Sequence, residues 1–460
     1  MRSVSTVWAG LTPVQRALVA AVVGIAAILG GLKATSWAEN SLGRPRYEVV
    51  WETELPEADR AYATVTSDGQ YVVVLHREWI KRAYKLSPDG GTVWALEFAP
   101  KQSSTRQVDI GPRGSEPSGR IYNESLGVWG VIATADGGAM TYGGINRVFN
   151  RPTVPDSEST GYVASIGNDG KLRWQGEIRP SRGWRIGPIS GLSQAVPYGT
   201  GGLFFSQASR ARESSAGAPD DKPNFAIAWW LQLDADGRVV AEHFDLEAER
   251  AGYSTSFRAP VRLEGTLYLL RGSRRVVDLA TRKELPFGEP NETIVELNPA
   301  SGATKPLAEL PYTCTRLVPI ATGFVLSCYD SKFDLAVANG LAVWLDTGFR
   351  VIASPMVRER ANPRRGIGGG FIVPEGDTQF HSAGSLGSAI GGRQVRVGLL
   401  DQSGEIVVQR RFLRFVWHAQ AWRLIRGLEA DTLLLVRTEY ARYDLPINGR
   451  TVVTLLRFVR

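Results

Sequence analysis

The residues able to do chemistry are few. In 460 residues there are two cysteines, Cys314 and Cys328, and four histidines, His76, His243, His381 and His418. The histidines stand 167, 138 and 37 residues apart, with no His-x-His or His-Glu-x-x-His pair to hold a metal. A Gly-x-Ser-x-Gly nucleophile elbow is also missing. DADG (234–237) and NDG (168–170) place acids at alternate positions, but neither extends to a twelve-residue calcium loop with a terminal Glu. They read as tight hairpin turns, in which Asp or Asn bonds its own backbone and Gly supplies positive φ. GIGGGF (366–371) lacks the spacing of a dinucleotide fingerprint. No metal and no cofactor is expected.

What remains is arginine. Arg179, Arg182 and Arg185 surround Trp184, and Arg358, Arg360, Arg364 and Arg365 follow one another in a second stretch. Guanidinium groups suit bidentate recognition of carboxylate or phosphate, and an aromatic ring offers a surface for stacking. These eight residues are the candidate binding set.

Charge limits the partner. The chain carries +7 at neutral pH, and residues 1–38 hold Arg2, Arg16 and Lys33 with no acid. The remainder has 50 basic against 46 acidic groups, a net of +4. A nucleic-acid binder concentrates its basic charge in a stripe, so no nucleic-acid partner is expected.

Residues 17–32 (ALVAAVVGIAAILGGL) are free of charge, and Thr12-Pro13 is a helix start with Thr as N-cap and Pro at the first position. Residues 13–32 number 20, the length that crosses a bilayer core. Two readings stand. Residues 1–38 form a cytoplasmic stub with a transmembrane anchor, or a signal peptide cleaved near Ala38. Either places the body, 39–460, outside the cytoplasm, on the periplasmic or extracellular side.

The body repeats itself. An apolar strand, a tight turn ending in Gly and a second apolar strand recur in YKLSPDGGTVWALEF (84–98), ASIGNDGKLRWQGEI (164–178) and LQLDADGRVVAEHF (231–244). The phrase returns at 295–310, 343–357 and 398–412, and a second two-strand phrase precedes each copy, as in ATVTSDGQYVVVLH (63–76). Four strands per unit, with turn signals between them, predict an all-β fold. It is a β-propeller of about seven four-stranded antiparallel blades, preceded by the N-terminal helix. The last unit, from Ala419, ends one strand short at 449–460. YEVVWETEL (47–55) matches the fourth strands TVWALEF and KLRWQGEI, with Trp51 in the place of Trp94 and Trp174. Pairing 47–55 with 449–460 closes the ring and removes an exposed sheet edge.

The D-x-x-G-x-x-x-W rhythm resembles the PQQ-type propellers, a group that includes quinoprotein dehydrogenases and BamB-like envelope scaffolds. The resemblance covers 47–460 as architecture. It implies a propeller, and on the enzyme side adjacent cysteines with a calcium site beside the quinone. Cys314 and Cys328 are 14 apart and no acidic cluster accompanies them, so the scaffold branch is the expectation.

In YTCTRLVPIATGFVLSC the chain turns near 320–322, which faces Cys314 with residue 327 or 328. Outside the cytoplasm this favours a disulfide. In a propeller the connections between the second and third strands and between blades open on one face. By this parsing that face takes the long segments and both arginine groups. The expected function is therefore a non-enzymatic scaffold of the cell envelope, binding a protein or an anionic envelope polymer through an Arg-rich face. The alternative is a propeller enzyme (hydrolase, lyase or quinoprotein-like) with its site at the channel mouth.

Overall fold

The computed structural model describes residue 12 and residues 46–77, 80–98, 120–150, 156–181, 184–186, 191–210, 226–276, 291–329, 340–354, 372–387, 393–402, 406–412, 418–440 and 449–460. The apolar segment 13–32 lies outside the described residues. Among the described residues no helix is long and apolar enough to cross a membrane.

The chain alternates between turn-forming clusters and runs that are apolar without interruption, such as Tyr71–Leu75 (YVVVL) and Leu433–Val436 (LLLV). A strand wet on one face alternates polar and apolar residues, whereas an unbroken run needs cover on both faces. Both faces are covered here: Val72, Val73, Val74, Leu433, Leu434, Leu435 and Val436 are fully buried. Strands Arg60–Val65, Tyr71–Arg77, Ile80–Leu86 and Thr92–Phe98 make one antiparallel sheet in chain order. Four-stranded antiparallel sets built the same way span 120–178, 194–244, 253–310, 313–353 and 373–412. The final set joins His418–Arg426, Thr432–Tyr440 and Arg450–Val459 to Arg46–Pro56 from the other end of the chain.

Each set packs its faces on its neighbours. Val72, Val74 and Ala83 share a core with Leu126, Val128 and Tyr162, and Ile132 and Met140 share one with Phe204 and Trp229. The series continues through Phe205 with Leu269, Leu270 with Leu326, and Trp344 with Phe380. Val397 with Leu435, and Val436 with Val73, complete it, so the last set packs on the first. The first strands of successive sets also touch one another all the way round, from 60–65 through 120–133, 194–198, 253–263, 313–320 and 373–375 to 418–426 and back to 60–65. Sheets that share faces in a closed series, with their first strands around the axis, are a β-propeller.

The tryptophans of the repeat work between sets. Trp51 lies over Gly90, Trp94 over Gly170 and Trp174 over Gly237; a Cβ on each glycine would sit 2.7, 2.7 and 2.2 Å from the indole. Each indole N–H donates to a turn carbonyl of the next set: Pro88 at 2.8 Å, Asn168 at 2.9 Å and Ala235 at 2.9 Å. These glycines also hold φ of +88°, +77° and +81°, which a side chain resists. At the next junction His243 occupies that place over Gly302.

The terminal seam pairs Arg46–Pro56 with Arg450–Val459 from Arg46↔Val459 to Pro56↔Arg450, with one irregularity between Val49 and Trp51. Two small elements depart from the sequence expectation. Leu246–Arg250 is a single helical turn, capped by Asp245, which accepts from the Ala248 N–H at 3.3 Å. Five residues carry too little periodicity to be read as helix. Trp184–Ile186, expected in a connection, is a short strand that joins Asp156–Ile166 to Gly201–Arg210.

Candidate functional site

The two ends of the ring differ. First-to-second and third-to-fourth connections are tight turns, closed by backbone bonds such as Thr66 to Gln70, Ser87 to Gly91 and Asp234 to Arg238. The described strands flanking 99–119, 211–225, 277–290, 330–339 and 355–371 all terminate at the opposite end. That end therefore receives the longest connections.

Arg179 follows strand Leu172–Ile178 at this end and is exposed. Its guanidinium donates to Glu177 at 3.2 Å. Glu177 also accepts a two-pronged contact from Arg147, one prong of it 3.1 Å long. Burial opposes ionisation of Glu177, but Arg147 and Arg179 outweigh it and hold the carboxyl below its ordinary range. One carboxylate thus serves two guanidiniums, Arg147 enclosed and Arg179 outermost. Trp184 stacks on Phe244 with ring centroids 4.7 Å apart, so one face of its ring is used inside the fold. Arg185 pairs with Ser209 across the sheet and is half-buried. The structure therefore brings Arg179, Trp184 and Arg185 to one rim. Arg182, Arg358, Arg360, Arg364 and Arg365 lie outside the described residues.

Cys314 and Cys328 are direct cross-strand partners and form a disulfide. His76, His243 and His381 stay apart in structural roles. His76 accepts from the Val128 N–H at 3.0 Å, and burial brings its pKa to about 4. His243 stacks on Trp230, and His381 bonds the Tyr47 hydroxyl at 2.8 Å and Glu375 at 3.1 Å. Among the described residues no three His, Cys, Asp or Glu side chains are grouped to hold a metal.

The sequence reading missed a cluster at the axis. Arg316, Arg423 and Tyr62 stand on first strands of three different sets, in Thr313–Ile320, His418–Arg426 and Arg60–Val65. Tyr142 comes from a second strand and crosses the inner strand at Gly130, where a Cβ would lie 2.2 Å from its hydroxyl. The groups sense one another: Arg316 interacts electrostatically with Arg423 and Tyr142, and Arg423 with both tyrosines. Burial, with Arg423 adding to it, lowers Arg316 to about 9. Burial raises both Tyr142 and Tyr62, so both phenols keep their protons. The available signal was a lone arginine inside an otherwise apolar first strand, as in TCTRLVPI.

No protein-family model matches the chain, and no curated protein sequence is similar to it. Solved structures with similarity include Trypanosoma rangeli sialidase, 10% identical, covering 89% of this chain and 59% of that one, with a TM-score of 0.41. A subtype N10 neuraminidase-like protein of A/little yellow-shouldered bat/Guatemala/060/2010 is 10% identical, covers 89% of this chain and 99% of that one, and has a TM-score of 0.33. An ACO/RPE65 chimera is 8% identical over 78% and 62%, with a TM-score of 0.32. Similarity at this level carries no argument about chemistry, and the propeller rests on the pairing and packing above.

Proposed function

We propose that the chain is a seven-bladed propeller scaffold of the cell envelope, acting by binding, with a protein or an anionic envelope polymer seated on the end that receives the long connections. The observation that carries this reading is the division of the ring into an end of tight turns and an end of long connections. Connections on a rigid frame are where recognition resides, because they vary without disturbing the core. Arg179 is the exposed cation of the described rim, and Arg182 and Arg185 extend its group. Arg358, Arg360, Arg364 and Arg365 form the second. The blade number is supported by the series of four-stranded sets and by the core between each neighbouring pair. Trp51, Trp94 and Trp174 docked on the next set's glycine support kinship with the PQQ-type propellers. Residues 13–32 anchor the body to the membrane or direct its export.

The test compares partner recovery by crosslinking from wild type, from Arg179, Arg182 and Arg185 changed together to Ser, and from Arg358, Arg360, Arg364 and Arg365 changed together to Ser. Both variants should fold, and both should lose partner in a salt-dependent way, since attraction between exposed charges is screened over about 8–10 Å. Equal recovery from all three removes the rim as the site. Protease added to intact spheroplasts should digest 47–460, and full protection would contradict the exported location.

A further inference from the structure

A cleft opens between the third and fourth sets, at the end that receives the long connections. Along Thr266–Arg275 the side turned to the third set reads Leu267, Leu269, Arg271 and Ser273. The strand paired with it answers in register with Leu297, Val295, Thr293 and Asn291. The three leucines and Val295 share a core with Phe205 and Trp230, which seals the two sets together. Toward 277–290 the same side turns polar, and there the sheets part. Arg271, Ser273, Asn291 and Thr293 line a cavity of about 510 Å³. That volume lies within the roughly 300–1,000 Å³ of small-molecule sites.

The cleft is preformed. Asp245 caps the helical turn Leu246–Arg250 with one oxygen. Its other oxygen accepts from Arg271, from Nε at 3.1 Å and from Nη2 at 2.8 Å. One carboxylate thus fixes both the helical wall, which contributes Glu247 and Ala248, and the guanidinium of the strand wall. It also balances the charge of Arg271 within the protein. The lining that remains is hydroxyl, amide and carboxylate. Tyr253, Ser273 and Thr293 carry hydroxyls and Asn291 an amide, and each of these groups both donates and accepts. Glu247 and Glu309 come from two different elements and are exposed. None of these six side chains has a side-chain hydrogen bond or ion pair among the described residues.

We infer that this cleft is a binding site for an uncharged saccharide unit. Its hydroxyls exchange hydrogen bonds with Tyr253, Ser273, Thr293 and Asn291 and donate to Glu247 and Glu309, while its C–H face lies on Ala248 and Leu307. A sugar hydroxyl donates and accepts at once, as the lining does, and supplies the donors that two carboxylates call for. An anion would be repelled by those carboxylates. The inference goes beyond the rim proposal: it concerns the same end of the ring but uses none of the rim arginines.

The full chain in mild detergent, carrying a fluorescent label, is applied to an array of neutral glycans ending in glucose, galactose, mannose or N-acetylglucosamine. Spermine is immobilised beside them as a cationic probe, and glycans that bind are titrated calorimetrically as free oligosaccharides. Wild type should bind at least one neutral terminus with one-to-one stoichiometry. Its affinity should change by less than about twofold between roughly 50 and 500 mM salt, because no net ligand charge is there to be screened. Changing Glu247 and Glu309 together to Ala should weaken binding by about tenfold or more, since hydrogen bonds to charged acceptors are the strong ones. Thr293→Val keeps the side-chain shape and should weaken binding several-fold. The melting temperature of the double variant should match wild type, because both glutamates are exposed. Binding to no glycan would overturn the inference. So would unchanged binding by both variants, or a preference for spermine that falls steeply with salt, which would mark a cation site. The rim variant with Arg179, Arg182 and Arg185 changed to Ser should bind these glycans as wild type does, separating failure here from failure of the rim proposal.

Discussion

Arg437 and Arg423 sit on adjacent strands of the same sheet, the first buried and the second half-buried, in different surroundings. Arg437 is 1% exposed. It donates to Glu52 at 2.7 Å, to Glu439 at 3.0 Å and to Thr454, and its guanidinium lies 4.5 Å from the Phe412 ring centroid. Glu439 in turn pairs with Arg450, which also reaches Glu54. Glu52 and Glu54 come from the N-terminal strand, so this network holds the seam where the two ends of the chain meet. A few residues away His381 and Glu375 repeat the pattern: Tyr47 bonds the histidine, and Arg426 and Arg460 grip the carboxylate. Each of these seam carboxylates is paired with an arginine. At the axis the arginines face each other and two neutral phenols. The two arginines thus differ in what stands against them, carboxylates for Arg437 and phenols for Arg423, because the position of each strand in the ring decides which elements its side chains meet.

The largest effect should come from breaking the seam. Arg437→Ala removes the buried guanidinium that Glu52 and Glu439 share, leaving Glu439 with Arg450 and Glu52 with Thr454, a loss of about 3–5 kcal/mol for an enclosed pair broken on one side. Urea denaturation measures it, and a loss below about 1 kcal/mol would dissolve the contrast with the axis.

Glu292 tests an intermediate case. It is 1% exposed, paired with Arg258 at 2.5 Å on one oxygen, and its other oxygen has no partner among the described residues. Burial outweighs Arg258 and raises its pKa to about 7, from 4.5 when unfolded. The folded state therefore binds the proton more tightly, and the resulting stability is full below pH 4.5 and lost as pH rises through 7. At about 1.4 kcal/mol per unit the loss approaches about 3 kcal/mol. Urea midpoints compared between wild type and Glu292→Gln over this window should diverge as pH rises. Parallel curves would show that Arg258 satisfies the carboxylate. Glu375 has the opposite sign. His381 foremost holds it at about 2 against a burial penalty, so its contribution is present above pH 4.5 and fades as pH falls toward 2.

Smaller effects separate packing from bonding. Trp94→Phe keeps a ring over Gly170 and removes the N–H to the Asn168 carbonyl, which should cost about 1 kcal/mol. A loss several times larger would mean that the indole's shape, not its hydrogen bond, holds the sets together. Arg179→Ser should shift stability by less than about 0.5 kcal/mol, since Arg179 is exposed and Glu177 keeps Arg147. A greater loss would move Arg179 from the rim to the frame.

The primary sequence by itself determined what depends on neighbours along the chain. The turn in YTCTRLVPIATGFVLSC aligns Cys314 with Cys328 because hairpin register follows from where the chain reverses. Asp-Gly turns and continuous apolar runs specify strands buried on both faces, and hence an all-β ring. The short helix at Leu246–Arg250 escaped because one turn has no period to detect. The meeting of groups from different sets was decided by tertiary structure alone. Gly170 looks like any turn glycine until Trp94 of the preceding set lies on it. Arg437 and Arg423 are both arginines in apolar strands, fourteen residues apart, and nothing local distinguishes them. Closure of the sheets brings Glu52 beside the first, from 385 residues away, and Arg316 and two phenols toward the second. Pleat and turn chemistry act over a few residues, whereas electrostatic pairing acts over a few ångströms, and only the closed ring converts one distance into the other.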